Sequence, residues 1–590
     1  MIKDPTVRMA LRGLLLLLTL LLPGVASSYH GASTDHDVVI IGAGAAGLYA
    51  AYELSNLGYD VLVLEATDRH GGRVYSDTLG DVGVELGAEE LYGSKNNFVF
   101  NDIKSQYGNS AQQKIFTESQ TQDTLISMDG GSTCWVWESE CDSDGDISDY
   151  WDFYYHAGSH ANDPTDELIS DHLDAGHGVI PSSRGYHLYE AGSPGGEFGT
   201  SITRLGLRSL ARQDNGWPLS SDLYGLDPTG YLDALDTLYF NQVVGKVSFN
   251  SPVAVVDTSG IKPVAIDVSG VYHYADAILV TVSVGVLQAE MIDFVPDLPA
   301  SKVTAYNTLG MGNGMKLFLR FGSTFWDGSK LFNVLTEGPS GNCWTPAKYQ
   351  AGATNDVITC FSMGLNAEFM SALPDDTARL NQTLADLDLA FGGQASLNFV
   401  EGFVQDWTKE PYVRGSYSYP VPGSYPTGGP SMRETLAMPV GGELFFAGEA
   451  THNTAPSTVP GALQSGERAG GEINVALSGP PALGAPKADF AASPTAGADP
   501  LQVTFTDLSS NGPTSWSWDF GDTGASTDRH PVYQYPTAGF YTVSLTATNA
   551  SGSHTRVMPD LIAVPEPGKM LQLAVGLLSL AALNAYRGRR

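Results

Sequence analysis

One short segment near the start of this chain constrains its fold more than any other. Residues 37–41 form an apolar run, residues 42–47 read Gly-Ala-Gly-Ala-Ala-Gly, and a helix-forming stretch continues to about Leu57. Glycines in this pattern permit a tight turn, close approach of the backbone to a pyrophosphate, and close packing of helix on strand. The helix start then offers its positive dipole end to the phosphates. The segment predicts a dinucleotide site that includes Gly42, Gly44, Ala46 and Gly47.

The second predicted strand, residues 61–64, ends at a carboxylate. Glu65 stands where an acidic side chain can bind ribose hydroxyls, and Ala66 follows it. The loop then continues through Gly71-Gly72-Arg73. Glycines let such a loop pass close to a cofactor, and an arginine can offset phosphate charge. We therefore add Glu65, Ala66, Gly72 and Arg73 to the predicted cofactor site.

Three further blocks make the chain resemble the flavin-containing amine oxidases, a family that includes monoamine and polyamine oxidases and histone demethylases. The blocks are residues 85–93, which read Glu-Leu-Gly-Ala-Glu-Glu-Leu-Tyr-Gly, residues 281–326, and residues 446–463 with their Phe-Ala-Gly-Glu-Ala-Thr start. The resemblance covers about residues 37–477. It implies an α/β fold in which a Rossmann-like FAD-binding domain is interleaved with an α+β substrate domain.

The resemblance also implies which residues in these blocks contact FAD. The strand at residues 85–93 passes beside the flavin ring in the family, and the last block closes over the flavin with a glutamate and a helix start. The implied cofactor contacts are Gly87, Ala88, Glu89, Gly448, Glu449, Thr458 and Val459. Val253, with Val256, resembles a pair at the adenine end, although ordinary sheet packing explains these valines equally well.

Two residues are implied to act beside the flavin. Lys316 matches the family lysine that reaches flavin N5 through a water, and Tyr417 matches the aromatic residue that faces the substrate amine. An electron-rich ring face can orient an amine. Monoamine oxidases have a cysteine, bonded to the flavin, where Ser416 stands. Serine cannot form that thioether, so the expected cofactor is non-covalent FAD.

The predicted substrate is a polyamine or another cationic amine. L-amino-acid oxidases of this superfamily carry a Gly-Ala-Met-Arg strand whose arginine binds a carboxylate, whereas this chain has acid at residues 89–90. Those acids could instead be hydrogen-bonded to flavin or backbone. Serine, threonine and alanine at residues 455–458 replace a second aromatic, which predicts a wider cavity. The predicted substrate-binding residues are Glu90, Trp407, Tyr412, Tyr417 and Ser457, with core burial an equal alternative for Trp407 and Tyr412.

The implied reaction is hydride transfer from the carbon next to a neutral amine to flavin N5. The imine then hydrolyses, and molecular oxygen reoxidises the flavin with release of hydrogen peroxide. The sequence shows no metal-ligand spacing. Two alternatives stay open: an L-amino-acid oxidase or other flavin oxidase or desaturase, and a surface interaction flavoprotein with little turnover.

Composition changes divide the chain into segments. A Gly/Pro/Ala-rich linker at residues 478–487 precedes short alternating strands, and Trp518 and Phe520 match the core of a PKD domain, a small all-β immunoglobulin-like sandwich. The predicted segments are a signal peptide (1–28), FAD-binding parts (36–93, 242–320 and 439–477), substrate-domain parts (94–241 and 321–438), the linker, the PKD domain (488–564) and a sorting tail (565–590).

Both ends of the chain predict export. Residues 1–28 have the basic, apolar and small-residue order of a secretory signal. The other end has a Pro-Glu-Pro motif, an apolar segment and a basic terminus, which resembles the PEP-CTERM tails of Gram-negative bacteria. The resemblance implies processing by signal peptidase and an exosortase-type enzyme. The expected location is the cell surface or extracellular matrix, with transient membrane anchoring by the C-terminal helix.

Charge and cysteines agree with that location. The formal net charge of −34 excludes nucleic acid as a partner and favours cationic ones. The cysteines form two pairs that are close in sequence, Cys134 with Cys141 and Cys343 with Cys360. In an exported protein these pairs predict disulfides, although four cysteines permit three pairings.

Overall fold

A computed structural model describes residues 33–92, 97–107, 115–117, 124–128, 132–135, 160–176, 198–218, 223–226, 230–326, 333–336, 338–346, 354–477, 486, 488, 490–495, 497, 500–509 and 512–564. The predicted signal peptide, the sorting tail and Cys141 lie outside these residues.

The helices are α1 (Ala45–Asn56), α2 (Phe98–Tyr107), α3 (Ile169–Gly176), α4 (Leu207–Asn215), α5 (Gly230–Leu238), α6 (Val284–Gln288), α7 (Ala300–Thr308), α8 (Gly364–Ala372), α9 (Asp376–Phe391), α10 (Gln394–Asn398), α11 (Met432–Ala437) and α12 (Val459–Leu477).

An eight-stranded sheet forms the centre of the first unit. Its strands are β1 (Ser33–Ile41), β2 (Val61–Leu64), β10 (Val247–Ser248), β11 (Val253–Asp257), β12 (Val264–Asp267), β13 (Tyr272–Val280), β14 (Asp293–Val295) and β22 (Leu444–Phe446). The order is β10-β2-β1-β13-β12-β11-β14, and β22 also pairs with β13. Strands β10, β2, β1, β13 and β22 run parallel, as a dinucleotide-binding sheet requires.

Both faces of this sheet are buried. Successive side chains of β1 point to opposite faces, so alternate residues pack into different clusters. Val38 and Ile40 pack into a cluster with α1, α5 and α12, whereas Val39 and Ile41 pack into a second cluster on the other face. A strand buried on both faces is an apolar run rather than an alternating one. This burial explains why residues 37–41 are uniformly apolar.

A seven-stranded sheet forms the second unit, with the order β20-β16-β19-β18-β17-β7-β8. Its strands are β7 (Thr124–Met128), β8 (Ser132–Trp135), β16 (Gly314–Phe321), β17 (Asn333–Leu335), β18 (Asn342–Trp344), β19 (Val357–Met363) and β20 (Phe399–Asp406). Smaller sheets pair β3 (Ser76–Leu79) with β4 (Val82–Glu85), β9 (Leu223–Leu226) with β5 (Leu91–Tyr92) and β6 (Ile115–Thr117), and β15 (Leu309–Met311) with β21 (Ser418–Pro420).

The C-terminal unit is the predicted sandwich. One sheet contains β23 (Phe490–Ser493), β24 (Leu501–Asp507) and β27 (Val532–Tyr535); the other contains β25 (Ser515–Asp519), β26 (Ala525–Ser526), β28 (Gly539–Asn549) and β29 (Gly552–Val564). Trp518 and Phe520 are each 1% exposed and lie in its core. The prediction that these two rings are packing residues is confirmed.

The structure moves two predicted domain boundaries. Residues 314–320 were predicted in the FAD-binding part, but they form β16, the strand between β19 and β20 in the second sheet. Helix α5 was predicted in the substrate domain, yet its Tyr231 and Leu235 pack in the cluster under α1. In both places the pattern of apolar residues identifies an element without showing which sheet it packs against.

The predicted pairing of Cys343 with Cys360 is confirmed. The two residues face each other on the neighbouring strands β18 and β19, and a disulfide joins them. Both side chains are fully buried. The bond joins β18 to β19, the strand that pairs with β16.

Candidate active site

Parallel strands of the first sheet end together at one edge. Gly42, Glu65, Thr281 and Ala447 directly follow β1, β2, β13 and β22. Their backbone amides continue the ladders: Gly42 N donates to Leu64 O at 2.8 Å, and Ala447 N donates to Val280 O at 3.0 Å. Ligands of such sheets bind outside the carboxyl ends of the strands. The predicted cofactor residues therefore lie at the edge where this fold binds dinucleotides.

The glycine turn is shaped by close backbone contacts. Gly42 has a φ of +107°, and a Cβ on Gly47 would lie 2.0 Å from the Gly42 carbonyl oxygen. By contrast, a Cβ on Gly44 would meet nothing within 4 Å. The third glycine is therefore required by packing, while the second leaves open space in front of the helix start. That space fits a pyrophosphate.

Helix α1 begins in this space without a cap of its own. No side chain caps Gly44, and the first turn contains no acidic residue. The unpaired amides of a helix start bind anions. The loop at residues 71–73 passes beside it, with Gly71 N donating to Ala43 O at 2.8 Å. A Cβ on Gly72 would lie 3.1 Å from Gly44 Cα, so glycine is needed for this approach.

Glu65 is held in place at the end of β2. Its Oε2 accepts from Ala43 N at 2.8 Å, and its Oε1 accepts from the amide and hydroxyl of Thr67 at 2.9 and 2.8 Å. An ionised carboxylate offers about four acceptor sites, which leaves capacity for a ribose hydroxyl. Ala66, between these two residues, is half-buried. Hydrogen bonds from Ala43 and Thr67 thus fix the orientation of the Glu65 carboxylate.

Val253 lies near Glu65 through the connection before β11. Ser251 N donates to the Glu65 carbonyl at 2.8 Å, and Val253 begins the strand two residues later. Val253 and Val256 both pack in the second core cluster. Placement beside Glu65 agrees with the adenine-end prediction for Val253, whereas Val256, at 1% exposure, is a packing residue.

A buried ionic network closes the same edge. Arg73 Nη1 donates to Glu449 Oε1 at 3.1 Å, and Glu449 Oε2 accepts from Ser418 Oγ at 2.6 Å and from Ser457 N at 3.0 Å. Behind them Arg433, fully buried, donates to Ser418 Oγ at 2.7 Å. Burial opposes ionisation of Glu449, but Arg73 and Arg433 hold its pKa below the usual value.

This network leaves positive charge facing a cleft. Two guanidinium groups surround one carboxylate, and Arg73 and Glu449 line a cleft that residues 280–284 and 446–451 complete. Buried charge favours a ligand of opposite sign. Together with the uncapped start of α1 and the open space at Gly44, this charge fits a phosphate-containing dinucleotide such as FAD.

The segment at residues 85–88, which begins at the last residue of β4, connects this edge to the second unit. A Cβ on Gly87 would lie 1.8 Å from the Arg73 carbonyl oxygen, and Ala88 N donates to that oxygen at 3.0 Å. Glu85, at the end of β4, accepts from Ser76 Oγ and from Tyr231 N, each at 2.7 Å. Desolvation raises the pKa of Glu85 to about 7.

Lys316 reaches this strand from β16. Its side chain is 4% exposed, and Nζ donates to the Glu85 carbonyl at 2.9 Å and to Glu89 Oε2 at 2.8 Å. The rings of Trp344 and Phe361 lie 5.3 and 5.6 Å from Nζ. The lysine of β16 is therefore buried at the junction of the two units, as its predicted role requires.

Glu89, predicted as a cofactor contact, has two side-chain partners within the protein. One carboxylate oxygen accepts from Lys316, and the other accepts from Trp344 Nε1 at 2.8 Å. The negative charge of Glu89 thus balances the Lys316 ammonium, because a buried ammonium needs a partner of opposite sign. Glu90, the second acid expected to favour a cationic substrate, follows Glu89 and is half-buried.

Two predicted substrate residues lie elsewhere. Trp407 is 2% exposed, packs with Leu86 and Phe318, and donates its indole N–H to the Leu86 carbonyl at 2.9 Å. The core alternative for Trp407 is therefore correct, since the indole is fully used by packing. Tyr412 is 39% exposed, which excludes burial in a core. Tyr417 is half-buried between the buried residues Ser416 and Ser418.

The residues before α12 have local partners. Ser457 has a φ of +65° and donates its hydroxyl to Ser418 O at 2.7 Å. Thr458 Oγ1 donates to Ala455 O at 2.9 Å and accepts from Gly461 N at 3.0 Å, so it caps α12. Val459 is buried at the helix start. These hydroxyls thus shape the backbone at the start of α12. The predicted contacts of Ser457 with substrate and of Thr458 with the cofactor stay predictions.

The sequence predictions missed several residues of the site. Arg433, Ser418 and Trp344 each join segments that are distant in sequence, and no motif contains them. Thr281 could have been found, because it is the first residue of the block at residues 281–326; its hydroxyl donates to Ile41 O at 2.9 Å.

The described residues contain neither a candidate metal site nor a candidate membrane-spanning helix. Within them, no group of three or more His, Cys, Asp or Glu side chains could hold a metal ion. No helix in this part of the chain is both long and apolar enough to cross a membrane.

Comparison with known protein families assigns most of the chain. The family described as "Flavin containing amine oxidoreductase" matches residues 209–474, an NAD(P)-binding Rossmann-like domain matches residues 40–104, and a PKD domain matches residues 484–564. The first two matches contain the site residues on both sides of the cleft. The third contains the C-terminal sandwich.

Individual relatives agree with this assignment. Lysine-specific histone demethylase 1 homolog 3 of Arabidopsis thaliana is 28% identical over 74% of this chain and 30% of its own length. Human lysine-specific histone demethylase 2 is 29% identical over 75% and 54%. The chain thus spans about a third to a half of these demethylases. Human peroxisomal N(1)-acetyl-spermine/spermidine oxidase is 29% identical over 73% of this chain and 93% of its own length.

Solved structures show the same fold. Putrescine oxidase bound to putrescine superposes with a TM-score of 0.62 at 17% identity, covering 75% of this chain and 99% of that one. Cyclohexylamine oxidase from Brevibacterium oxydans IH-35A superposes with a TM-score of 0.60 at 20% identity, covering 76% and 100%.

Proposed function

We propose that this chain, which belongs to the flavin-containing amine oxidoreductase family, oxidises a cationic amine with FAD as its cofactor. One observation carries the proposal. Lys316 Nζ donates to the Glu85 carbonyl and to Glu89, and the segment between these two residues packs against the Arg73 carbonyl beside the glycine turn. The lysine of the second unit and the dinucleotide edge of the first therefore belong to one site.

Distinct groups of the chain would hold FAD. The start of α1 and Arg73 offer positive charge to the phosphates, and the Glu65 carboxylate retains acceptor capacity for a ribose. Ser416 has no thiol, so the cofactor is held without a covalent bond. FAD, when bound, supplies the two-electron oxidation of the carbon next to the amine nitrogen.

The remaining roles belong to side chains at the junction of the two units. The Lys316 ammonium has three hydrogens, and the Glu85 carbonyl and Glu89 accept two of them. The third would bind and orient a water beside the cofactor. Tyr417 presents an aromatic face to the amine, which favours a nitrogen donor. Closure of the site by buried residues excludes bulk water and strengthens these interactions.

A polyamine or another cationic amine is the substrate class that the chain supports best. Glu90 places an acid where a carboxylate-binding arginine would be needed for an amino acid, and the chain as a whole has a formal net charge of −34. The similarity to an acetyl-spermine/spermidine oxidase over most of both chains also supports this class. An acidic surface attracts cationic substrates and raises their local concentration.

The test is an assay of peroxide release with FAD-loaded protein. Polyamines, aryl amines, L-amino acids and polyenes should be compared at equal concentration, with Lys316→Met as the variant. We expect peroxide from polyamines and a large loss of rate in the variant. Turnover of amino acids alone would contradict the substrate class, and FAD-loaded protein that turns over nothing would favour a surface interaction flavoprotein.

We further propose that the protein is exported and acts at the cell surface. The disulfide between Cys343 and Cys360 supports this location, because such bonds persist in oxidising compartments. Signal peptidase and an exosortase-type enzyme would process residues 1–28 and 565–590. Intact-mass analysis of protein from the native host tests the proposal; a mass that retains both segments would contradict it.

A further inference from the structure

Glu89 and Lys316 form an ion pair that neither the cofactor fold nor the substrate requires. The two side chains are 19% and 4% exposed, and their charged atoms are 2.8 Å apart. Burying a pair of charges costs several kcal/mol per ion unless each has further hydrogen bonds. Here each has them, since Lys316 also donates to the Glu85 carbonyl and Glu89 also accepts from Trp344.

Glu89 is fixed from three directions. Ala88, the preceding residue, donates its amide to the Arg73 carbonyl, which ties the backbone to the glycine-turn edge. Trp344 holds one carboxylate oxygen and Lys316 the other. Trp344 in turn follows Cys343, whose disulfide partner Cys360 precedes Phe361, the second ring near the ammonium. The acid is therefore placed rigidly between the two units.

The pair has an electrostatic consequence at any cofactor bound beside it. A lone ammonium would favour added negative charge nearby, whereas an ammonium next to a carboxylate presents a dipole with no net charge. Charge near the flavin ring is one of the ways in which a protein tunes that cofactor. Reduction adds electrons to the flavin, so the net charge around Lys316 affects the reduction potential of the flavin.

We propose that Glu89 is a positioning residue for Lys316, and that it lowers the reduction potential of the bound flavin by neutralising the lysine charge. The proposal rests on the proposed function for the position of Lys316 beside the flavin. It requires no new reaction step. Glu89 would thus control both the direction of the Lys316 side chain and the net charge around it.

The test is the midpoint potential of bound FAD, measured by dye-coupled chemical reduction, which needs no amine turnover. Glu89→Gln should shift the potential to more positive values, and Lys316→Met should shift it to more negative values. Trp344→Phe removes a hydrogen bond but keeps both charges, so its shift should be the smaller one. Asp77→Asn removes an exposed acid of β3 and serves as the charge control, with the wild-type value expected.

A second readout separates positioning from charge. In the anaerobic reduction of FAD by an amine, Glu89→Gln should slow the reaction of the wild-type protein several-fold. In the Lys316→Met background the same change should return the midpoint potential toward the wild-type value without any further slowing, because no lysine is left to position. A potential for Glu89→Gln equal to that of Asp77→Asn overturns the inference even if amines are oxidised. Shifts of opposite sign in a protein that no amine reduces would support the inference and contradict the proposed function.

Discussion

The two sides of the site are built in different ways. At the dinucleotide edge the backbone makes the site: Gly42, Gly47 and Gly87 bring chain segments so close that a single methyl group would collide. At the Lys316 side, side chains make it: an ion pair, an indole N–H and two rings converge from three strands and a loop. The first kind of site tolerates almost no change of shape, and the second is sensitive to charge.

The difference follows from the ligand that each side serves. A pyrophosphate is recognised by amides and a helix dipole, which any sequence can supply if glycine permits the approach. An amine and a reactive ring need charges placed within a few tenths of an ångström, and only side chains from a rigid sheet can place them. The disulfide between β18 and β19 supplies part of that rigidity.

The largest expected effect contrasts two glycines of one turn. Gly47→Ala would bring a methyl carbon to 2.0 Å from the Gly42 carbonyl oxygen, so we expect the free energy of unfolding without FAD to fall by more than about 3 kcal/mol. Gly44→Ala meets nothing within 4 Å and should leave that stability unchanged while weakening FAD binding. Denaturant unfolding and FAD titration measure both. Equal destabilisation by the two changes would contradict the backbone account.

The disulfide tests the rigidity of the Lys316 side. Cys343→Ala with Cys360→Ala opens a loop with a sequence separation of 17, which should cost about 3 kcal/mol of stability. Stability of wild-type protein in reductant should fall toward the same value. If the double variant unfolds at the wild-type denaturant concentration, the cross-link contributes nothing to this sheet.

Glu85 gives a pH-dependent prediction at the boundary between the two sides. Its pKa rises from 4.5 to about 7 on folding, so folding binds a proton between these values, and stability falls as pH increases through that range. Glu85→Gln cannot ionise; its Oε1 can still accept from Tyr231 N, and its Nε2 can donate to Ser76 Oγ. The variant should be more stable than wild type at pH 8 by on the order of 2 kcal/mol, with no advantage below about pH 5.

Denaturant unfolding of the wild-type and Glu85→Gln proteins across that pH range, without FAD, measures the difference between their free energies of unfolding. A difference that is constant with pH would show that Glu85 does not take up a proton on folding. Asp77→Asn, on the neighbouring strand and exposed, is the matched control and should follow the wild-type pH profile.

The smallest expected effects concern the two corrected aromatic residues. Trp407→Phe leaves the Leu86 carbonyl without its donor and should cost about 1 to 2 kcal/mol of stability. Tyr412→Ala changes an exposed side chain and should stay within about 0.5 kcal/mol of wild type. Neither change should alter the KM for an amine. A raised KM in Trp407→Phe protein of unchanged stability would restore its predicted substrate role.

The same contrast explains what the sequence could predict. The strand at residues 37–41, the glycine turn, Glu65 and the fold class were predictable because local backbone geometry imposes them on neighbouring residues. The partner of Glu89, the buried Arg433 and the use of Thr458 as a helix cap were not, since each depends on which distant segment packs nearby. The predicted boundary at residue 320 failed for that reason: β16 shows an apolar pattern, but its sheet is chosen by tertiary packing.

Anaerobic titration of purified, FAD-loaded protein with a polyamine tests the central claim most directly. The account predicts that the visible absorbance of the flavin is lost in wild-type protein, that the loss is much slower in Lys316→Met, and that air restores the colour. Protein that stays colourless when refolded with FAD would contradict the dinucleotide site. Coloured protein that no amine bleaches would contradict the oxidase.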